Sequence, residues 1–154
     1  MRVTRTSALV IAGLMVASTP DRADPVALDL QHRHPSGLVP DFTGIETTAT
    51  EVRLDLGLVN GSPSVAILHP SDTASDVTIG NAVLYLVPVQ DNATMTVEPH
   101  STAKGRLVFF GLLPNEAGPL HVVLNERGSS SATTPTPLIE LDIPAEIVAA
   151  SRQG

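Results

Sequence analysis

The sequence predicts an all-β protein, an antiparallel sandwich or barrel of about seven or eight short strands. Three observations favour this class. Val52, Leu54, Leu56 and Leu58 alternate with polar or small residues, which gives the period of two expected of a half-buried strand. Thirteen prolines and eleven glycines divide the 154-residue chain into short segments. Only 3% of the residues are aromatic, so the core must be built mainly from aliphatic side chains.

Further strand candidates follow along the chain, separated by turn residues. The clearest are 51–60, which alternates, 81–89, which is almost continuously apolar, and 105–110. Pro88 has no N–H to donate, so it must lie near the end of its strand or at an unpaired position. The remaining candidates are 64–68, 77–79, 94–97, 120–124 and 138–143, followed by a short helix or frayed end at 145–151.

The first 23 residues have the features of a secretory signal peptide. Arg2 and Arg5 form a positive n-region, and residues 7–18 form an uncharged, mainly apolar stretch that is short for a membrane span. Cleavage after Ser18 or after Ala23 would release the chain into the periplasm or the extracellular space, with no stable membrane insertion afterwards. The alternative is an uncleaved N-terminal anchor.

The expected organisation of the chain therefore has four parts. Residues 1–23 are the signal peptide, and residues 24–44, rich in Pro, Asp and His, form an extended N-terminal arm. Residues 45–144 form the β domain, and residues 145–154 form a C-terminal tail.

The charge and cysteine content exclude several classes of function. Removal of residues 1–23 takes away three arginines and one aspartate and changes the formal net charge from −7 to −9. Such an acidic chain, with Lys104 as its single lysine, repels phosphate backbones, so we expect no nucleic-acid partner. The absence of cysteine excludes thiolate metal sites, cysteine nucleophiles, disulfides and a lipid anchor on cysteine.

The order of features over residues 98–124 is similar to that of a known group of domains. A Pro-containing turn at 98–101 leads to the apolar segment 105–109, and a Pro-containing loop at 113–116 leads to 120–124. This layout resembles small secreted bacterial immunoglobulin-like domains, the group that includes the mycobacterial immunoprotective antigens. The resemblance implies an immunoglobulin-like β-sandwich without the antibody Cys and Trp residues, and it implies no catalytic site.

Two histidines in the expected arm are the candidate metal ligands. His32 and His34 would place two imidazoles on the same side of an extended segment, with Asp29 and Asp41 nearby in sequence. Two nitrogens and a carboxylate could bind zinc or copper(II). We expect weak metal affinity or none, because ordering a polar, Pro-rich arm costs about 1–2 kcal/mol per residue.

No motif in the sequence points to catalysis or to a cofactor. There is no G-x-S-x-G nucleophile elbow and no G-x-x-x-x-G-K phosphate loop. The leading hypothesis is therefore an exported, non-enzymatic module that binds an unknown protein or envelope component. The alternatives are a periplasmic metal-handling protein that uses His32 and His34, and an enzyme whose site is assembled from scattered residues.

The signal peptide yields the first testable prediction. We expect the exported protein to lack the apolar segment from Leu9 to Val16, because a charged n-region and a short apolar h-region are cleaved together. Intact-mass spectrometry of the secreted chain measures this directly. Recovery of the chain with its original N-terminus would contradict the signal peptide and favour the anchor.

Overall fold

The structure, a computed structural model, describes residues 24–152, so the expected signal peptide lies outside the described residues. Within that range the chain forms ten strands and one short helix. They are β1 (Val26–Gln31), β2 (Leu38–Thr47), β3 (Glu51–Asn60), β4 (Ala66–Ile67), β5 (Asp76–Ile79), β6 (Ala82–Leu86), β7 (Thr96–Val97), β8 (Ser101–Phe110), β9 (Leu120–Leu124), β10 (Ile139–Ile143) and α1 (Ala145–Ser151). The pairings between these strands are antiparallel, so the all-β prediction is confirmed.

Eight strands form one curled sheet in the order β1-β2-β3-β8-β6-β5-β9-β10, and β4 pairs with β7 in a separate two-stranded sheet. β3 and β8 pair over their full length, from Glu51 opposite Phe110 to Asn60 opposite Ser101. In contrast, β6 joins β8 through only two residue pairs. This short ladder divides the sheet into a β3 half (β1-β2-β3-β8) and a β9 half (β6-β5-β9-β10).

One hydrophobic core cluster draws side chains from both halves. The alternating row of β3 is buried as predicted, since Val52, Leu54, Leu56 and Leu58 are at most 6% exposed. Leu107 and Phe109 on β8 and Leu120, Val122 and Leu124 on β9 are buried in the same cluster. Because the core is almost wholly aliphatic, its stability depends on close packing rather than on a few large rings.

The segment 24–44, expected to be an arm before the domain, is part of the sheet. Val26, Leu28 and Leu30 alternate with more exposed residues in β1, and Phe42 in β2 is fully buried. The alternation in β1 is only six residues long and is flanked by Pro, Asp and His residues, so the sequence pattern did not predict a strand there. The arm boundary is therefore corrected: the first two strands of the domain lie before residue 48.

The C-terminal segment is also part of the fold. Val148 of α1 is fully buried, and the Ser151 hydroxyl lies 3.1 Å from that of Thr47 in β2. The Arg152 guanidinium donates to the carbonyl oxygens of Pro114 and Asn115, each at 2.8 Å. α1 thus fastens the chain end to β2 and to the loop after β8.

Two of the weaker strand candidates are shorter than expected. Segment 64–68 supplies only β4, and segment 94–97 supplies only its partner β7. Pro88 lies two residues beyond the end of β6, as its missing N–H predicts.

The buried row of β3 yields a stability prediction. Truncation of the fully buried Leu54 to Ala should lower the free energy of unfolding by about 2–5 kcal/mol, because it opens a cavity in a core without disulfides. The matched control is Val59→Ala on the outer face of the same strand, where the side chain is 48% exposed and the cost should stay under about 1 kcal/mol. Denaturant unfolding of both variants measures the difference. Equal costs would contradict the assignment of the two faces.

Candidate functional site

His34, one of the two candidate metal ligands, has a structural role in the fold. Its side chain is buried, and its Nδ1 accepts the backbone N–H of Ser36 at 3.0 Å. Its Nε2 therefore carries the proton and donates to the carbonyl oxygen of Ser129 at 2.8 Å. Both ring nitrogens are thus occupied, and a metal could bind only if one of these hydrogen bonds broke.

His32 lies two residues earlier, just after β1, and is half-buried. Burial and the neighbouring His34 lower the pKa of His32, and Glu140 partly opposes them. Among residues 24–152, no group of three or more His, Asp or Glu side chains is arranged to hold a metal ion. In this geometry the His32 and His34 pair has no third ligand.

The other histidines occupy three different environments. His69, which precedes Pro70, is only 3% exposed, and within the described chain neither ring nitrogen has a hydrogen-bond partner. Burial lowers the pKa of His69, with Asp72 opposing the shift. His100 is exposed in a turn with φ of 52°, and His121 Nδ1 lies 2.7 Å from Asp142 Oδ1. None of these arrangements forms a catalytic pair with a nucleophile.

The outer face of the β9 half carries a different kind of candidate site. Strand register places five outward side chains in one row that crosses the sheet from β8 to β10. In order they are Phe110, Tyr85, Asp76, Val123 and Glu140. A second, parallel row consists of Val83, Thr78, His121 and Asp142. Neighbours within a row lie about 5 Å apart, so each row acts as one continuous surface.

One end of these rows is an exposed apolar surface, which we call the outer patch: Val83, Tyr85, Val87 and Phe110. Tyr85 is 49% exposed and Phe110 is 58% exposed, and the two face each other across neighbouring strands. Tyr85 and Phe110 are two of only four aromatic residues in the chain. Leu112, which follows Phe110 by two residues, is 78% exposed. A chain with so few aromatics therefore presents half of them to solvent.

The other end of the rows is acidic, and we call it the acidic margin: Asp76, Glu126, Glu140 and Asp142. With His121 and Thr73, three of these four residues line a shallow, open concavity that also reaches Val83 and Tyr85. Among the described residues, no Lys or Arg forms an ion pair with the four carboxylates; His121 contacts Asp142. Burial and the nearby Glu126 raise the pKa of Asp76, while His121 partly opposes the shift.

Two arginines on the outer face of the β3 half are, in contrast, paired with carboxylates. Arg53 donates to Glu46 at 2.8 Å and also contacts Glu51, and Arg106 holds Asp55 through two bonds of 2.7 and 3.2 Å. A Cβ at Gly44 would lie 2.9 Å from the Asp55 carboxylate, so a larger residue there would displace the Asp55 side chain. Arg53 and Arg106 thus compensate carboxylates of the β3 half, whereas no Lys or Arg of the described residues pairs with the acidic margin.

Sequence reasoning located the strands of this surface but missed the surface itself. Segment 81–89 predicted a central strand, and β6 does lie between β5 and β8. The missed signal is that Val83, Tyr85 and Val87 are apolar at every second position while Leu84 and Leu86 fill the core. An apolar run in a strand with only one buried face leaves the alternate side chains exposed.

Comparison with known proteins informs only the fold. No protein-family model matches the chain, and no curated protein matches it. A functionally unknown protein from Listeria monocytogenes EGD-e superposes with a TM-score of 0.52 at 12% identity, covering 79% of this chain and 84% of that one. The "putative lipoprotein (ycdA)" of Bacillus subtilis superposes with a TM-score of 0.50 at 9% identity, covering 80% of this chain and 42% of that one. No helix within residues 24–152 is long and apolar enough to cross a membrane.

The raised pKa of Asp76 gives a stability prediction with a definite sign. Because the folded state holds the proton more tightly than the unfolded state, ionised Asp76 destabilises the fold at pH 7, and this cost disappears below about pH 4. Asp76→Asn should therefore raise the free energy of unfolding at pH 7, by less than about 1 kcal/mol because the site is partly solvated. Urea unfolding at pH 7 and at about pH 3.5 should show the gain only at the higher pH.

Glu140→Gln is the matched control for Asp76→Asn, since Glu140 lies in the same row but is exposed. We expect its effect at pH 7 to be the smaller of the two. A loss of stability at pH 7 in Asp76→Asn would show that the carboxylate is stabilising and would contradict the interpretation.

Proposed function

We propose that the mature chain is an exported, non-enzymatic binding module that docks a basic, apolar segment of a partner protein on the outer face of its β9 half. The observation that carries this proposal is the row that places the exposed Phe110 and Tyr85 next to the Asp76 carboxylate. Contiguous exposed apolar side chains with a polar margin are typical of interaction sites.

The two ends of the surface would contribute differently to binding. Rigid aromatic side chains bury a large area at a low cost in conformational entropy, so Tyr85 and Phe110 would supply most of the affinity. The acidic margin would attract Lys and Arg side chains, accelerate association and reject acidic partners. A cationic partner would also relieve the repulsion between Asp76 and Glu126 that contributes to the raised pKa of Asp76.

We further propose that the curled sheet is an immunoglobulin-like sandwich of the kind found in the mycobacterial immunoprotective antigens. The two-pair junction between β6 and β8 supports this, since it lets the two halves fold over one core with little continuous pairing between them. Sandwiches require two packed layers about 10 Å apart.

Export rests on the sequence of residues 1–23, with support from the name of the Bacillus subtilis protein that shares the fold. The proposed destination is the periplasm or the extracellular space. The metal-handling alternative through His32 and His34 has less support, because hydrogen bonds already occupy both ring nitrogens of His34.

A matched pair of peptides tests the proposed binding face. The probe is a blocked heptapeptide in which Lys and Arg alternate with Leu and Trp, and its counterpart has Glu at every basic position. We expect the basic peptide alone to bind, with an affinity that falls as salt rises. Isothermal titration calorimetry measures both, and two-dimensional NMR identifies the amides that shift.

Variants assign that binding to the two ends of the surface. The double change Tyr85→Ser and Phe110→Ser should weaken binding at least tenfold, whereas Asp76→Asn with Glu126→Gln should mainly reduce the salt dependence. Val59→Ser, an equally exposed apolar position on the β3 half, is the control and should bind like the wild type. Binding that survives the aromatic double change, or shifts that map to β1, β2 and β3, would exclude this face as the site.

A further inference from the structure

β8 has a backbone edge that no strand of the described chain covers. On one side it pairs with β3 along all ten residues. On the other side β6 pairs only with Phe109 and Phe110, and the last bond is Val87 N–H to the Val108 carbonyl oxygen at 2.8 Å. From Val108 back to Ser101 no strand of the described chain pairs with this side of β8.

The bond to Val108 fixes which backbone groups face this edge. In an antiparallel strand the N–H and C=O of one residue point to the same side, and the next residue points to the other. Since Val108 faces β6, the N–H and C=O groups of Arg106, Lys104 and Thr102 face the same edge. No backbone hydrogen bond from elsewhere in residues 24–152 reaches these groups.

Beside this edge is a small apolar cavity, which we call the Gly105 slot. Its volume is about 70 Å³, and it lies between the inner face of β3 and β8 and the segment that follows β6. A Cβ built on Gly105 meets nothing within 4 Å, and Ala103 is the next inward residue of β8. Its apolar walls are Leu56, Leu58, Val89, Met95, Val97 and Leu107.

The size of the slot sets what it could hold. It has about half the volume of an engineered cavity of roughly 150 Å³ that binds benzene. The slot is thus suited to one aliphatic side chain rather than to an aromatic ring.

The outer side of the same edge is basic. Lys104 is exposed and, among the described residues, forms no ion pair. Arg106, the next outward residue of β8, holds Asp55 but remains partly exposed. An extended segment lying along this edge would place alternate side chains into the slot and toward these cations.

We infer that the free edge of β8 binds an extended segment of a partner protein, which pairs with Thr102 to Arg106, inserts one aliphatic side chain into the Gly105 slot and presents acidic side chains to Lys104. Main-chain pairing would supply affinity, and the slot would supply specificity. The charge at this edge is opposite to that of the acidic margin, so this site and the proposed outer face would bind different segments.

The probe for this site is the blocked heptapeptide Ser-Thr-Glu-Leu-Glu-Thr-Ser, and its control has Ser in place of the central Leu. NMR titration should shift the amides of Thr102, Lys104 and Arg106, with a dissociation constant below about 1 mM. The Ser control should bind at least tenfold more weakly. A peptide with Gln in place of both Glu residues should bind several-fold more weakly at low salt.

Two variants separate pairing from insertion. Lys104→Pro removes an N–H that points to the free edge, so the β3 ladder persists while strand addition is blocked. Gly105→Val fills the slot. Each should reduce binding of the Leu peptide at least tenfold, whereas Lys104→Ala should retain pairing and lose only the salt-dependent part.

Gly57→Val is the matched control for Gly105→Val. Gly57 also has open space at its Cβ position, but it lies on the outward face of β3. It should bind the peptide like the wild type, and circular dichroism and denaturant unfolding check that every variant is folded. Absence of any shift at about 5 mM peptide, or equal binding of the Leu and Ser peptides, would overturn the inference.

Discussion

The ten-pair ladder between β3 and β8 is the interaction on which the rest of the structure depends. Its inward side supplies Leu54, Leu56 and Leu107 to the core, and its outward side supplies the Arg106 and Asp55 ion pair. Of the paired strands in the eight-stranded sheet, β3 and β8 are also the furthest apart in sequence, with paired residues separated by about fifty positions on average. With no cysteine in the chain, no disulfide can hold this closure, so paired backbone and buried aliphatic side chains must do so.

The strongest local patterns were predictable and the long-range placements were not. β3 was predicted over its full length, because alternation over ten residues leaves little choice of face. Of β8 only the apolar part, 105–110, was predicted, since its first four residues carry no apolar alternation. β1 was missed because six alternating residues lie among prolines and aspartates that are typical of turns. The burial of His69 could not be foreseen, since it depends on the pairing of its backbone with Thr94, twenty-five residues later.

The candidate surface was hidden from sequence reasoning for a related reason. An exposed Tyr85 and an exposed Phe110 are recognisable as a pair only when the register of β6 against β8 is known. Likewise, the carboxylates of Asp76, Glu126 and Glu140 come from three separate segments and form one acidic margin only after β5, β9 and β10 have paired. Register, rather than composition, therefore creates the chemistry of this face.

The length mismatch between β6 and β8 connects both proposed sites. β6 follows β8 as far as Val87, whose N–H donates to the Val108 carbonyl oxygen, and the strand assignment of β6 itself ends at Leu86. Up to that point β6 contributes Tyr85 to the outer patch beside Phe110. Beyond it, the chain departs toward Met95, which leaves the β8 edge bare and opens the slot over Gly105. The point at which β6 leaves β8 therefore places an exposed aromatic pair on one side of the junction and an unpaired edge on the other.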